Sequence, residues 1–140
     1  YHEAGPQLLL QAFLQRIING GGRSVNVPNN TDTSAVHGGR INREYALGRR
    51  RTDLFIEWPV DEVVGLYGEV QRIVIELKIL RGTLKSTLEQ GIEQSRAYGD
   101  SCGAQEVHLM IFNRDPKVSW EEKLWYQAPE AENAVHCWGC

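Results

Sequence analysis

The chain has 140 residues, of which 41% are hydrophobic and 24% charged, and a formal charge of −3. This is the profile of one globular domain able to bury roughly 70% of the surface of its unfolded chain. The slight acidity offers no overall field for a polyanion, which counts mildly against a stand-alone DNA binder, and no apolar run is long enough to span a membrane. No secretory leader is visible, and a start at Tyr1 with Met110 as the single methionine reads as a piece of a longer, cytoplasmic protein.

A helix is predicted over 6–18. Pro6 suits its first turn. Leu9, Leu10, Phe13, Leu14, Ile17 and Ile18 make a broad apolar face for packing on a sheet, and Asn19 followed by Gly20, Gly21 and Gly22 stops it. Glu3, just upstream, either reaches into a site from this helix or is simply a carboxylate favoured near a helix N-terminus. Residues 23–40 read as a loop rich in turn formers. The echo of Gly21-Gly22-Arg23 in Gly38-Gly39-Arg40 suggests an insertion splitting one turn. Strands are expected at 41–47 and 53–58, joined by Gly48-Arg49-Arg50-Arg51. Asp53 then begins the second strand and Pro59 ends it.

The strongest pattern lies at 72–80. Ile73, Ile75, Leu77 and Ile79 alternate with Arg72, Val74, Glu76 and Lys78, the period of a strand with two distinct faces. Glu76 and Lys78 then share one face of a largely apolar run. Burying them is costly unless they pair, bind metal or reach water, so a site is expected there. With the two preceding strands this one forms a meander.

Gly82-Thr83 caps a predicted helix over 84–99. Its expected core stripe is Leu84, Leu88, Ile92 and Ser95 beside Gly91 and Tyr98, with Thr87, Gln90, Gln94 and Tyr98 along one margin. A strand at 107–112 follows, and a helix between two strands implies a parallel pair. Ser119-Trp120-Glu121-Glu122 fits a capping box, and a last, peripheral strand is expected at 134–138. Trp120 and Trp125 are read as packing residues. Cys137 and Cys140 have C-x-x-C spacing after His136, but a zinc site needs a second ligand pair, and Cys102, His108, His37 and His2 are scattered. The preferred reading is small apolar side chains closing the last strand.

Asp53, Glu76 and the main-chain carbonyl of Leu77 make a hard oxygen set suited to Mg2+ or Mn2+. Lys78 would contact the attacking water or the charge developing on phosphorus. The competing reading is an ordinary ion pair at a strand edge. Thr52-Asp53, then Glu76-Leu77-Lys78 on an apolar strand, then a helix with Gln94 and Tyr98, resembles the PD-(D/E)xK nuclease superfamily. More narrowly, it resembles the nuclease-like domain at the C-terminal end of prokaryotic proteins with a P-loop ATPase region. The resemblance runs from about Tyr1 through Phe112 and extends toward the end of the chain.

That resemblance implies an α/β, restriction-endonuclease-like αβββαβ core over 1–140, with a mixed sheet flanked by helices and the loop 23–40 as an insertion. It also implies a divalent-metal-dependent nuclease cutting DNA, with Asp53, Glu76 and Lys78 catalytic, Gln94 supporting, and Glu3 as the counterpart of the first-helix acid. Thr52 departs from the motif's proline. Arg49, Arg50, Arg51, Arg81 and Lys85 are candidate phosphate contacts, against the reading of a solvated charge run. DNA, an ATPase region of the same full-length chain and a second copy of the chain are the partners considered. The alternative function is a catalytically inactive module of the same fold that binds nucleic acid or protein.

Overall fold

The computed structural model describes residues 5, 8–10, 12, 40–47, 50–130 and 134–140. Gly5, Leu8, Leu9, Leu10 and Ala12 are helical, and the rest of the helix expected over 6–18 lies outside the described residues. The expected loop at 23–39 lies outside the described residues, and Arg40 already belongs to a strand. Strands β1 (Arg40–Leu47), β2 (Arg50–Pro59) and β3 (Val70–Ile79) form the expected antiparallel meander. Helix α1 (Leu84–Cys102) then crosses over to β4 (Glu106–Phe112), which pairs parallel to β3. A four-residue helix α2 (Trp120–Lys123), a short β5 (Trp125–Gln127) and β6 (Val135–Gly139) complete the chain. The result is an α/β fold whose six-stranded mixed sheet has the order β1-β2-β3-β4-β6-β5.

Each face of the sheet carries one apolar cluster, sorted by the parity of the strand residues. Val74 of β3 meets Phe55, Val107, Leu109, Ile111, Val135, Cys137 and the α1 residue Tyr98. On the reverse face Ile75 and Leu77 meet Leu54 and Ile56, with Leu10 from the N-terminal helical stretch packed against them. Ile73 and Ile75 therefore do face away from Val74 and Glu76, as a two-residue period requires. Helical residues lie over both faces.

Four expectations need correction. β2 begins at Arg50, not Asp53, because Leu47 pairs directly with Arg50. Arg50 and Arg51 are thus strand residues, and Asp53 lies inside the strand. In α1 the expected Ser95, Gly91 and Tyr98 are buried and Leu88 and Ile92 pack half-buried on the core, but Thr87 and Gly99 join the stripe and Leu84, at 39% exposure, does not. Close approach explains the shift: a Cβ on Gly91 would meet Leu109 Cδ2 at 2.6 Å, and one on Gly99 would collide with Val107. Small residues let the helix axis sit near β4, where leucines would hold it off. β6 is interior, between β4 and β5, with Val135 and Cys137 both at 0% exposure. Trp120 does not pack into the core; it is 69% exposed, with Lys123 Nζ 5.3 Å from its ring centre.

Local signals define the helix starts. Thr83 accepts a hydrogen bond from Ser86 N at 3.2 Å as the N-cap of α1. Gly103 ends that helix in the left-handed region, φ 62°. Ser119 and Glu122 form the reciprocal capping box that opens α2. Among the described residues, no helix is long and apolar enough to cross a membrane.

Candidate active site

The α1-facing side of β2 and β3 descends in cross-strand levels. Glu57 pairs with Arg72, their side chains 3.8 Å apart, and Phe55 pairs with Val74 beneath Tyr98. At the next level come Asp53 and Glu76, where the β2–β3 ladder gives way to side-chain bonds. Asp53 Oδ2 accepts from Leu77 N at 2.9 Å, and Glu76 Oε1 accepts from Asp53 N at 3.2 Å. Each carboxylate is thus fastened to the backbone of the neighbouring strand. Separated by 23 residues in sequence, the two acids meet at one point of the sheet.

Glu76 is only 2% exposed, a placement that carboxylates occupy when charge-assisted hydrogen bonds or a cation hold them. In a strand a residue's carbonyl leaves on the same side as its N–H, as the exchanged bonds of an antiparallel pair require. Leu77 N points at Asp53, so the Leu77 carbonyl also faces this junction. Lys78 follows on the same face as Glu76 and is half-buried. The structure therefore groups Asp53, Glu76, the Leu77 main chain and Lys78.

Gln94 lies one layer above, on α1. Its Nε2 donates to the Tyr98 hydroxyl at 2.9 Å, and both residues line an open hollow of about 240 Å3 with Gln90, Glu93 and Ala97. Tyr98 connects this hollow to Phe55 and Val74 in the core. Arg81 and Lys85 are exposed just beyond the end of β3 and in the first turn of α1. Glu3, Arg49 and the side chains of Arg50 and Arg51 lie outside the described residues.

A second polar cluster occupies the reverse face, on β4, β5 and β6. His108 and His136 are register partners there, with Glu106 beside them. His108 is not scattered from His136, as the chain order suggested, because β6 inserts next to β4. Burial holds the His108 pKa below the usual histidine range, a charge on His136 lowers it further, and Glu106 opposes both. The signal for this cluster was the shared two-residue parity of His108 and His136, readable only once the β4–β6 pairing is known. Cys137, next after His136 but on the α1 face, is fully buried with its thiol pushed up to about 11 by burial, which disfavours the thiolate that redox chemistry needs. All three cysteines are free.

In comparisons with known proteins, no family model matches the chain, and no curated protein or solved structure matches significantly.

Proposed function

We propose that this domain is a divalent-metal-dependent nuclease with a restriction-endonuclease-like core of the PD-(D/E)xK kind, hydrolysing DNA phosphodiesters. The observation that carries the reading is the junction of Asp53 and Glu76, bonded across β2 and β3 at 2.9 and 3.2 Å, with Lys78 next on the same face. Asp53, Glu76 and the Leu77 carbonyl would hold a Mg2+ or Mn2+ ion, an all-oxygen set that such hard cations prefer. When bound, the ion supplies Lewis-acid polarisation of a phosphoryl oxygen and a water acidified for attack.

The protein's own share is positional. Both acids are tied to strand backbone, so their oxygens are preorganised, and carboxylate oxygens accept more than one partner each, which makes these N–H bonds compatible with a cation. Lys78 contributes a positive charge beside the acids, where charge builds on the phosphorus oxygens as the bond breaks. Arg81 and Lys85, exposed near the end of β3, would meet the phosphate backbone of a duplex. Gln94 supports the site through Tyr98, which packs on the level above the acids.

A second reading, an inactive module of the same fold, is favoured by one observation: each acid already satisfies a backbone N–H, a structural task sufficient to retain it. Lys78 separates the two readings because, among the described residues, no structural bond of this kind depends on it. Supercoiled DNA incubated with the chain and Mg2+ or Mn2+ should be nicked, and Lys78→Ala should slow nicking about 100- to 1,000-fold. Stability should fall by only about 1 kcal/mol, the usual cost of a single substitution, which is too little to unfold the chain. No metal-dependent cleavage by the wild-type chain would leave only the binding module, and equal rates in the variant would take Lys78 out of the mechanism.

A further inference from the structure

The reverse face of the β4–β6–β5 edge carries side chains that the nuclease reading does not use. One ligand-type atom from each of Glu106, His108 and His136 lies within 4.8 Å of the others, and all three residues are partly shielded from solvent. Glu106 Oε2 is 3.6 Å from His108 Nε2, and the two imidazole rings stack with centroids 4.6 Å apart. His136 Nδ1 lies 2.8 Å from the Tyr126 hydroxyl. A hydroxyl at that nitrogen fixes the ring as the outer partner of a metal-bound histidine does, leaving Nε2 for the ion.

We propose that Glu106, His108 and His136 form a binding site for a first-row transition ion of the zinc class. Two imidazoles and one carboxylate are the donor set such ions favour, whereas Mg2+ favours oxygen alone. Metal–nitrogen and metal–oxygen bonds of about 2.0–2.2 Å require ligand atoms closer together than in the present arrangement. Capture would therefore turn the stacked rings until their in-plane lone pairs and the Glu106 oxygen point at one shared position. Three protein ligands leave a coordination position open. The site is on the opposite face from Asp53 and Glu76 and stands whether or not that junction is catalytic.

One neighbour opposes loading and gives the proposal its signature. Trp138 Nε1 donates to His108 Nδ1 at 3.1 Å, and an indole has no acceptor. That bond puts the neutral imidazole's proton on Nε2, facing Glu106. When an ion takes Nε2, the proton moves to Nδ1, where it meets the indole N–H head on. Trp138 must then leave His108, and at 38% exposure it borders solvent into which it can turn. Metal capture and displacement of Trp138 are the same event.

Zinc titration of the wild-type chain, followed by long-range proton–nitrogen spectra of the histidine rings and by tryptophan fluorescence, tests this directly. One equivalent of Zn2+ should shift the Nε2 resonances of His108 and His136 and change the Trp138 emission. His108→Ala and His136→Ala should each weaken the zinc Kd at least about 100-fold, Trp138→Phe should tighten it, and Asp53→Asn should leave it unchanged. Ring nitrogens that stay put at stoichiometric Zn2+, or a Kd unaltered by removing either histidine, would overturn the assignment. The wild-type spectra decide the matter even if a variant fails to fold.

Discussion

The two polar clusters of this sheet are built in opposite ways. Between β2 and β3 the acids are bonded to main chain, Asp53 to Leu77 N and Glu76 to Asp53 N, on the face that α1 packs against. On the reverse face of β4, β6 and β5 the side chains are bonded to one another, Trp138 to His108 and Tyr126 to His136, and Tyr126 and Trp138 are exposed. A group tied to backbone moves only if the strand moves; a group tied to another side chain moves by a change of rotamer. The first cluster suits chemistry that needs fixed geometry, and the second suits a response to something that binds. The contrast follows from which atoms accept the hydrogen bonds rather than from residue type.

Leu109→Ala should separate the two clusters most sharply. Leu109 is fully buried on the α1 face of β4, against Gly91, and its register partner in β3 is Glu76. Removing its side chain should cost about 2–5 kcal/mol, read from urea unfolding. The void opens beneath α1, so hydrogen-exchange protection should fall in α1 and in β3 near Glu76. The imidazole spectra, reporting on the other face, should change little. Equal disturbance of both faces would mean that the sheet transmits strain between them and that the clusters are not independent.

Asp53 offers the next largest effect. Asp53→Ala leaves the Leu77 N–H without its acceptor in a partly buried place, which should destabilise the chain by about 1–3 kcal/mol. Asp53→Asn retains a carbonyl oxygen for that bond and should recover most of the stability. The carboxylate charge is lost in both, so divalent-metal binding at this junction should fall in both variants, measured by Mn2+ titration. A pair of variants that differ in stability and agree in metal affinity separates the acid's structural task from its proposed catalytic one.

How much of this was readable beforehand depends on the range of the interaction. The alternation of Ile73, Ile75 and Leu77 with Val74, Glu76 and Lys78 set the two faces of β3, and the Thr83 cap and Ser119–Glu122 box marked helix starts, because all are local. The meeting of Asp53 and Glu76 required only an antiparallel neighbour, the simplest pairing for consecutive strands. The interior place of β6 was hidden, since a five-residue strand near the chain's end looks peripheral until its parallel pairing with β4 is known. In α1 the expected stripe already held Ser95 with Gly91 beside it, but the burial of Thr87 and Gly99 was hidden for a different reason. A hydrophobic count favours Leu84 and Leu88, whereas close packing against Leu109 and Val107 selects for small side chains. The His108–His136 pair depends on the β4–β6 register and could not emerge from spacing along the chain.

The smallest predicted effect probes the core beneath the second cluster. Cys137 sits at 0% exposure between His136 and Trp138, its side chain on the α1 face, with burial raising its pKa from 9.0 to about 11. In the unfolded chain the thiol loses its proton near the ordinary value, while the folded chain retains it to higher pH. The folded state therefore binds more protons between about pH 9 and pH 11. The Cys137 contribution to stability is complete below pH 9 and declines as pH rises through that window. Urea unfolding at pH 8 and pH 10.5 should show the loss, and Cys137→Ala should flatten the slope although the variant starts from a lower stability. The flattening isolates this thiol from Cys102 and Cys140, whose pKa values burial also raises and which are unchanged in the variant. An undiminished slope would mean that the Cys137 thiol ionises alike in both states, and that the layer beneath the imidazoles admits water despite its burial.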